Sequence, residues 1–172
     1  MQELPTRKPN RLKDYDYSLN GAYFVTICSK KRIELFADIV VGVEICRPFM
    51  QLTEIGKTIN TSIQNICEIY DMVDVDKYVI MPNHVHMIIV IKNDTGGRQI
   101  AAPTVSLIVG NMKKFVSINA GFSVWQKSFH DHIIRNQDEY DKISHYIETN
   151  QENWEKDCFY NKNKQKQGEN QT

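Results

Sequence analysis

The stretch from Val73 to Ile91, VDVDKYVIM-PN-HVHMIIVI, limits the folding choices of this chain more than any other. Its first part begins as strict alternation of apolar and polar residues and ends apolar. The second part resumes as an apolar, β-branched run, and Pro82-Asn83 breaks the two apart. The pattern predicts a β-hairpin. Within its second strand the side chains alternate with period two, so His84 and His86 project from one face while Val85 enters the other.

The other elements fall into order around this hairpin. Ala22 to Cys28 (AYFVTIC), opened by Gly21, reads as a buried strand. Between Asp38 and Leu52 the pattern is irregular, interrupted by Gly42 and Pro48, and suggests a loop or small hairpin. From Thr53, placed to cap, Ile55, Ile59, Ile63 and Ile66 recur at helical spacing and predict a helix ending near Tyr70. A flexible polar loop is expected over residues 93–103. Thr104 then caps a helix whose Val105, Ile108, Met112, Phe115 and Val116 share a face. Phe122 to Arg135 has strand character, and Asn136 with Asp138 and Glu139 opens a last helix that runs to about Asn150. The order strand, helix, strand, strand, helix, strand, helix is that of an α+β, ferredoxin-like split βαβ fold. An antiparallel sheet with helices on one face and an additional C-terminal helix is expected. Residues 1–20 read as a basic N-terminal arm, 21–155 as the folded domain and 156–172 as a polar, disordered tail.

Composition narrows the class. With 172 residues and 41% hydrophobic content the chain suits one packed domain, and its 24% charged fraction is that of a soluble globular protein. No apolar run reaches membrane-spanning length and the amino terminus lacks the apolar centre of a secretory signal, so a cytoplasmic protein without a membrane partner is expected. Cys28, Cys46, Cys67 and Cys158 lie far apart with no CxxC spacing, which argues for reduced thiols over a zinc knuckle or disulfide framework. The net charge is zero, yet the basic residues concentrate in two quarters, 1–35 and 86–135. Phosphate binding depends on local potential, so a polyanion can be held if the fold joins those quarters. Arg7, Lys8, Arg11, Lys13, Lys30, Lys31 and Arg32 are candidates to follow a nucleic-acid backbone. Lys113, Lys114 and Lys127 suit either that role or plain solvation.

Two imidazoles on one strand face make half of a metal site. HxH alone is a weak pattern, and His130-Asp131-His132 repeats it on a segment better read as solvated or substrate-facing. The last helix adds the distinguishing feature. Tyr146 and Asn150 are four residues apart and stack on one face, with Lys142 one turn earlier. A tyrosine nucleophile, an amide oxygen as third ligand and a lysine near the attacked phosphate form a coherent catalytic face. The competing reading has Tyr140, Ile143 and Ile147 as a buried stripe that Tyr146 merely flanks.

Together, YVIMPNHVHMIIVI and VWQKSFHDHIIRNQDEYDKISHYIETN resemble the REP-associated tyrosine transposases, a branch of the HUH single-stranded-DNA transposases, over roughly residues 11–158. The resemblance implies His84, His86 and Asn150 as ligands of Mg²⁺ or Mn²⁺, and Tyr146 as a nucleophile forming a 5′-phosphotyrosine with hairpin-bearing single-stranded DNA. It also leaves a homodimer through a sheet edge open. The helix end departs from the Asn-Pro common in relatives, since Gln151 follows Asn150. The alternative to a nuclease is a protein of the same fold that grips structured single-stranded nucleic acid without cutting it. A hydrolase using water would leave Tyr146 without a task.

Overall fold

The computed structural model describes residues 19–40, 49–92 and 103–160. The basic arm with Arg7, Lys8, Arg11 and Lys13, most of the 93–103 loop and the chain after Tyr160 lie outside the described residues. Strand β1 (Gly21–Cys28) leads through a 3-10 turn (Lys30–Arg32) to β2 (Ala37–Val40) and β3 (Phe49–Leu52). Helices α1 (Glu54–Gln64) and α2 (Ile66–Ile69), strands β4 (Val73–Ile80) and β5 (His84–Ile91), and helix α3 (Val105–Ala120) follow. Strand β6 (His130–Ile134), helix α4 (Gln137–Thr149) and a second 3-10 turn (Trp154–Lys156) complete the described residues.

The main sheet is antiparallel in the order β4-β5-β1-β6, the split βαβ arrangement expected from the element order. The β4–β5 hairpin forms around Pro82-Asn83, and β2 with β3 makes the small separate hairpin suggested between Asp38 and Leu52. Two apolar layers lie on the two sheet faces. On one, Tyr23, Val25 and Ile27 of β1 and Val85, Met87 and Ile89 of β5 pack with Ile59 and Ile63 of α1 and Ile108, Val109 and Met112 of α3. The other is thinner: Ile88, Val79 and Met81 meet Ile147 of α4 and Trp154, with Phe24, Tyr140, Ile143 and Phe159 at its margin. The face left open by the two crossover helices is therefore covered by α4 and the segment after it.

Three local expectations are refined. The helix from Thr53 breaks at Asn65, whose N–H goes to the carbonyls of Thr61 and Ile63, and a single turn, α2, continues it. The strand expected from Phe122 is confined to His130–Ile134, because buried Val124 and Trp125 turn into the first core and pair only by an isolated bridge, from Trp125 to Ser29 just past the end of β1. The first residues of the segment expected as a polar tail are packed: Asp157, Phe159 and Tyr160 meet α4 and β5 side chains and Trp154. Their two aromatic rings supply the apolar contact that the composition of the rest of the tail lacks.

Candidate active site

The register of β1 with β5 sets the floor of the site. Cys28 lies opposite His84 and Thr26 opposite His86, so both imidazoles stand on the α4 side of the two central strands. They are 0% and 2% exposed. Their ring centroids are 4.5 Å apart, and Phe24 stacks on His86 at 5.2 Å.

Each ring is held by its Nδ1. Asn83 donates its amide N–H groups to the carbonyls of Phe159 (2.9 Å) and Arg32 (3.4 Å), so its Oδ1 is the atom that meets His84 Nδ1 at 2.9 Å. An acceptor there requires the proton on Nδ1 and leaves His84 Nε2 as a bare lone pair. His86 Nδ1 meets Thr26 Oγ1 at 2.8 Å. Such contacts to the far ring nitrogen orient metal-binding histidines. Asn83 and Thr26 are site residues that the sequence reading did not single out, although Asn83 stands inside the Pro-Asn-His-x-His string itself.

The facing wall is the end of α4. Asn136 caps this helix by accepting from Glu139 N–H at 2.9 Å, and the Asp138 and Glu139 side chains in the first turn oppose its dipole. Ile147 anchors the helix in the second core, and the four-residue spacing then brings Tyr146 and Asn150 over the imidazoles. The Tyr146 hydroxyl lies 3.3 Å from His86 Nε2 and donates to Asp157 Oδ2 at 3.0 Å. Asn150, 2% exposed, donates through Nδ2 to the same carboxylate oxygen at 3.2 Å. Its Oδ1 and His84 Nε2 are buried with no hydrogen-bond partner among the described residues. One ligating atom from each of His84, His86 and Asp157 lies within 4.8 Å of the others.

The orphaned His84 Nε2 lies in one cluster with His86 and Asp157, and the unpartnered Asn150 Oδ1 belongs to an amide bonded to that same carboxylate; such a set fits a divalent cation, because unsatisfied buried acceptors are otherwise costly. Protonation offers no alternative partner. Burial pushes the His84 imidazole down to about 4, with Asp157 opposing, and burial followed by the nearby His84 takes His86 down to about 3. Both are neutral donors at pH 7. Burial, then the Asp157 charge, pushes the Tyr146 phenol up to about 12. Burial alone would raise the Asp157 carboxyl, but the Phe159 N–H, the imidazole of His84, Asn150 and Tyr146 outweigh it and hold it below the usual carboxylate range.

The remaining expected residues divide by sheet face. Lys30, Lys31 and Arg32 are exposed in the turn that leaves β1 beside His84, with Lys31 and Arg32 at positive φ (59° and 55°). Arg32 lies over the Phe159 ring at 4.8 Å. Lys142 is exposed on α4, one turn before Tyr146. Lys113 and Lys114 belong to α3 on the opposite face, where Lys113 is half-buried and donates to the carbonyls of Gln126 (2.6 Å) and Lys127 (3.4 Å). The second HxH pair occupies β6, where His132 meets Glu139 at 2.6 Å and His130 is exposed. An apolar pocket of about 230 Å³ between α1, α2 and α3, lined by Ile66, Ile69, Ile108 and Phe115, is also on the far face from this chemistry.

The fold so described is similar to that of a REP-associated tyrosine transposase solved bound to a REP hairpin. The TM-score is 0.57 at 21% identity, covering 81% of this chain and 72% of that one. The sequence is more decisive: the IS200-like transposase family model matches residues 20–150, and the chain belongs to that family. An uncharacterized protein of Haemophilus influenzae strain Rd is 35% identical over 173 residues, covering 90% of this chain and 93% of the relative. The protein is thus transposase-like, and among its described residues no helix is long and apolar enough to cross a membrane.

Proposed function

We propose that this protein is a cytoplasmic HUH nuclease of the REP-associated branch, which cleaves and rejoins hairpin-bearing single-stranded DNA through Tyr146. One observation carries the reading. The Tyr146 hydroxyl stands 3.3 Å from His86 Nε2 and 3.0 Å from Asp157 Oδ2, two members of the cluster His84, His86 and Asp157 whose ligating atoms lie within 4.8 Å of one another. A tyrosine that merely flanked the buried stripe of Ile143 and Ile147 would have no reason to meet an oriented pair of imidazoles.

His84, His86 and Asn150 hold the cation, Mg²⁺ or Mn²⁺. When bound, it supplies positive charge that polarises the scissile phosphate and favours ionisation of the phenol. The chain's own residues do the rest. Tyr146 Oη attacks phosphorus in line, its proton passing to solvent over the exposed side of the ring, and the P–O3′ bond breaks. The 5′-phosphotyrosine conserves the ester, so a second 3′-hydroxyl can reverse the step and join new strands. The Asn150 amide and the Asp157 carboxylate orient the nucleophile, and Lys142 lies one turn away on the same helix to meet phosphate charge. The exposed Lys30, Lys31 and Arg32 carry the backbone where it leaves the site beside His84, and the basic residues Arg7, Lys8, Arg11 and Lys13 add to the same charge along the chain. Lys113 and Lys114 have less claim to this role, being on α3. A homodimer would form through one of the sheet edges, β4 or β6.

The test uses labelled, hairpin-bearing single-stranded oligonucleotides incubated with Mg²⁺ or Mn²⁺. A covalent protein–DNA adduct that disappears in Tyr146→Phe is expected. Cleavage without an adduct would indicate hydrolysis by water, and retention without cleavage would leave only a binding module.

A further inference from the structure

We propose that Asp157 is the anionic ligand of the cation site, so that cation binding and the seating of the segment from Trp154 to Tyr160 are one event. The inference rests on the cation-dependent reading above and adds a residue outside the set of two histidines and one amide that the sequence motif supplies.

Distance is the first argument. Donors on opposite sides of a small divalent cation, with bonds of about 2.0–2.2 Å, stand up to about 4.4 Å apart. The ligating atoms of His84, His86 and Asp157 lie within 4.8 Å of one another, so one pair is near the trans separation and side-chain rotation has only to draw the set inward for all three to reach one ion. Charge is the second. His84, His86 and Asn150 are neutral and 0%, 2% and 2% exposed, so before a substrate phosphate arrives a double positive charge would, without Asp157, have no anion among its buried ligands. A carboxylate ligand halves that charge and suits the hard cations.

The third argument is how the carboxylate is held. Its Oδ1 accepts the Phe159 N–H at 2.7 Å, which fixes the side chain, while Oδ2 is turned toward Tyr146 and Asn150. The segment that carries it is fastened to the imidazoles from the other side as well. Phe159 packs on His84 with ring centroids 4.6 Å apart, and the Phe159 carbonyl accepts from Asn83, the residue that sets the His84 tautomer. Trp154, 3% exposed, anchors the start of the segment. A cation drawn to the imidazoles therefore meets Asp157 only when the segment is seated, and in turn holds it seated.

The experiment is Mn²⁺ titration of the full chain, read by the electron paramagnetic resonance of free Mn²⁺, for wild type, Asp157→Asn, Asp157→Glu and His84→Ala. Loss of Asp157 is expected to weaken Mn²⁺ by at least about tenfold, with partial recovery in Asp157→Glu and loss of binding in His84→Ala. A second readout is thermal unfolding with and without Mn²⁺. Asp157→Asn should unfold near the wild-type temperature in chelator but gain less from Mn²⁺, whereas a purely structural Asp157 would shift the chelator value and leave affinity unchanged. Wild-type affinity in Asp157→Asn, with binding lost in His84→Ala, would overturn the ligand assignment and leave the cation reading standing. No Mn²⁺ binding by the wild type would overturn both.

Discussion

Tyr146 is held as a phenol when no cation is near, and the reason is divisible between burial and a neighbouring charge. Burial is the larger cause of a pKa pushed up to about 12, and the Asp157 carboxylate adds to it both through its charge and through the hydrogen bond it accepts. Asp157→Asn keeps the shape and removes the charge, so in chelator the phenol should titrate lower, toward its ordinary 10.0. A ¹³C-tyrosine NMR titration, with Tyr146→Phe to assign the resonance, checks this; an unchanged midpoint would mean that burial alone sets the value. The imidazoles give a second prediction. Their folded pKa values, about 4 for His84 and about 3 for His86, lie below the unfolded 6.5. The stability this contributes is complete above pH 6.5 and is lost as pH falls toward 3, because the unfolded chain takes up protons that the folded one refuses. Urea unfolding of the cation-free protein should show a loss on the order of a few kcal/mol across that window, and His86→Asn should flatten it. The two histidines, the tyrosine and the asparagine of this site were legible because period two and period four place them locally. Thr26 and Phe24 were not, since only the β1–β5 register brings them beside His86. Asp157 was hidden in a segment whose polarity suggested a tail, and the cue that it packs lay in Trp154, Phe159 and Tyr160 on either side of it.

Elements were legible where one pattern dominates, as in the hairpin broken by Pro82 and in α3, and less so where tertiary contact overrides the pattern. Val124 and Trp125 have strand propensity but serve as core plugs, with Trp125 against Phe36 at a centroid distance of 4.9 Å. The joint between α1 and the β2–β3 hairpin was likewise invisible, though it is tight. A Cβ on Gly56 would come within 1.9 Å of the Phe36 carbonyl oxygen, a backbone atom that cannot swing away. Gly56→Ala should therefore push α1 away from the backbone that enters β2 and cost roughly 1–3 kcal/mol by urea unfolding, against the gain that alanine normally brings to a helix. The helix that carries Tyr146 has a different weak point. Its cap, Asn136, satisfies the Glu139 N–H, and Asn136→Ala should cost about 1 kcal/mol. Fraying at that end should leave Mn²⁺ affinity little changed, because Ile147 and the end bearing Asn150 are fixed independently in the second core. A large loss of affinity in Asn136→Ala would show that α4 moves as a rigid rod.

The whole molecule separates its main core from the candidate site by sheet face: α1 and α3 bury the larger core, while α4 lies over the imidazoles and leaves Tyr146 partly open. That division bears on how a chain with 21 basic and 21 acidic residues would hold the polyanion that the proposed function requires. The overall charge cannot do it, so the potential must be local, and Lys30, Lys31 and Arg32 are the cluster at the site's own end of the sheet. Two of the three sit at positive φ, a conformation of modest cost that lysine and arginine rarely adopt without a use. Each phosphate neutralised on a single strand contributes a slope of about −0.7 to log K against log salt. Binding of a hairpin-bearing single strand by Tyr146→Phe, measured by fluorescence anisotropy across a salt series, should therefore lose about 1.4 of slope when Lys30 and Lys31 are both changed to alanine. Lys114→Ala, on the far face, should leave the slope unaltered. If instead Lys114→Ala flattens the line and the Lys30/Lys31 pair does not, the strand runs over the helical face, and the site would have to be reached from the other side of the sheet.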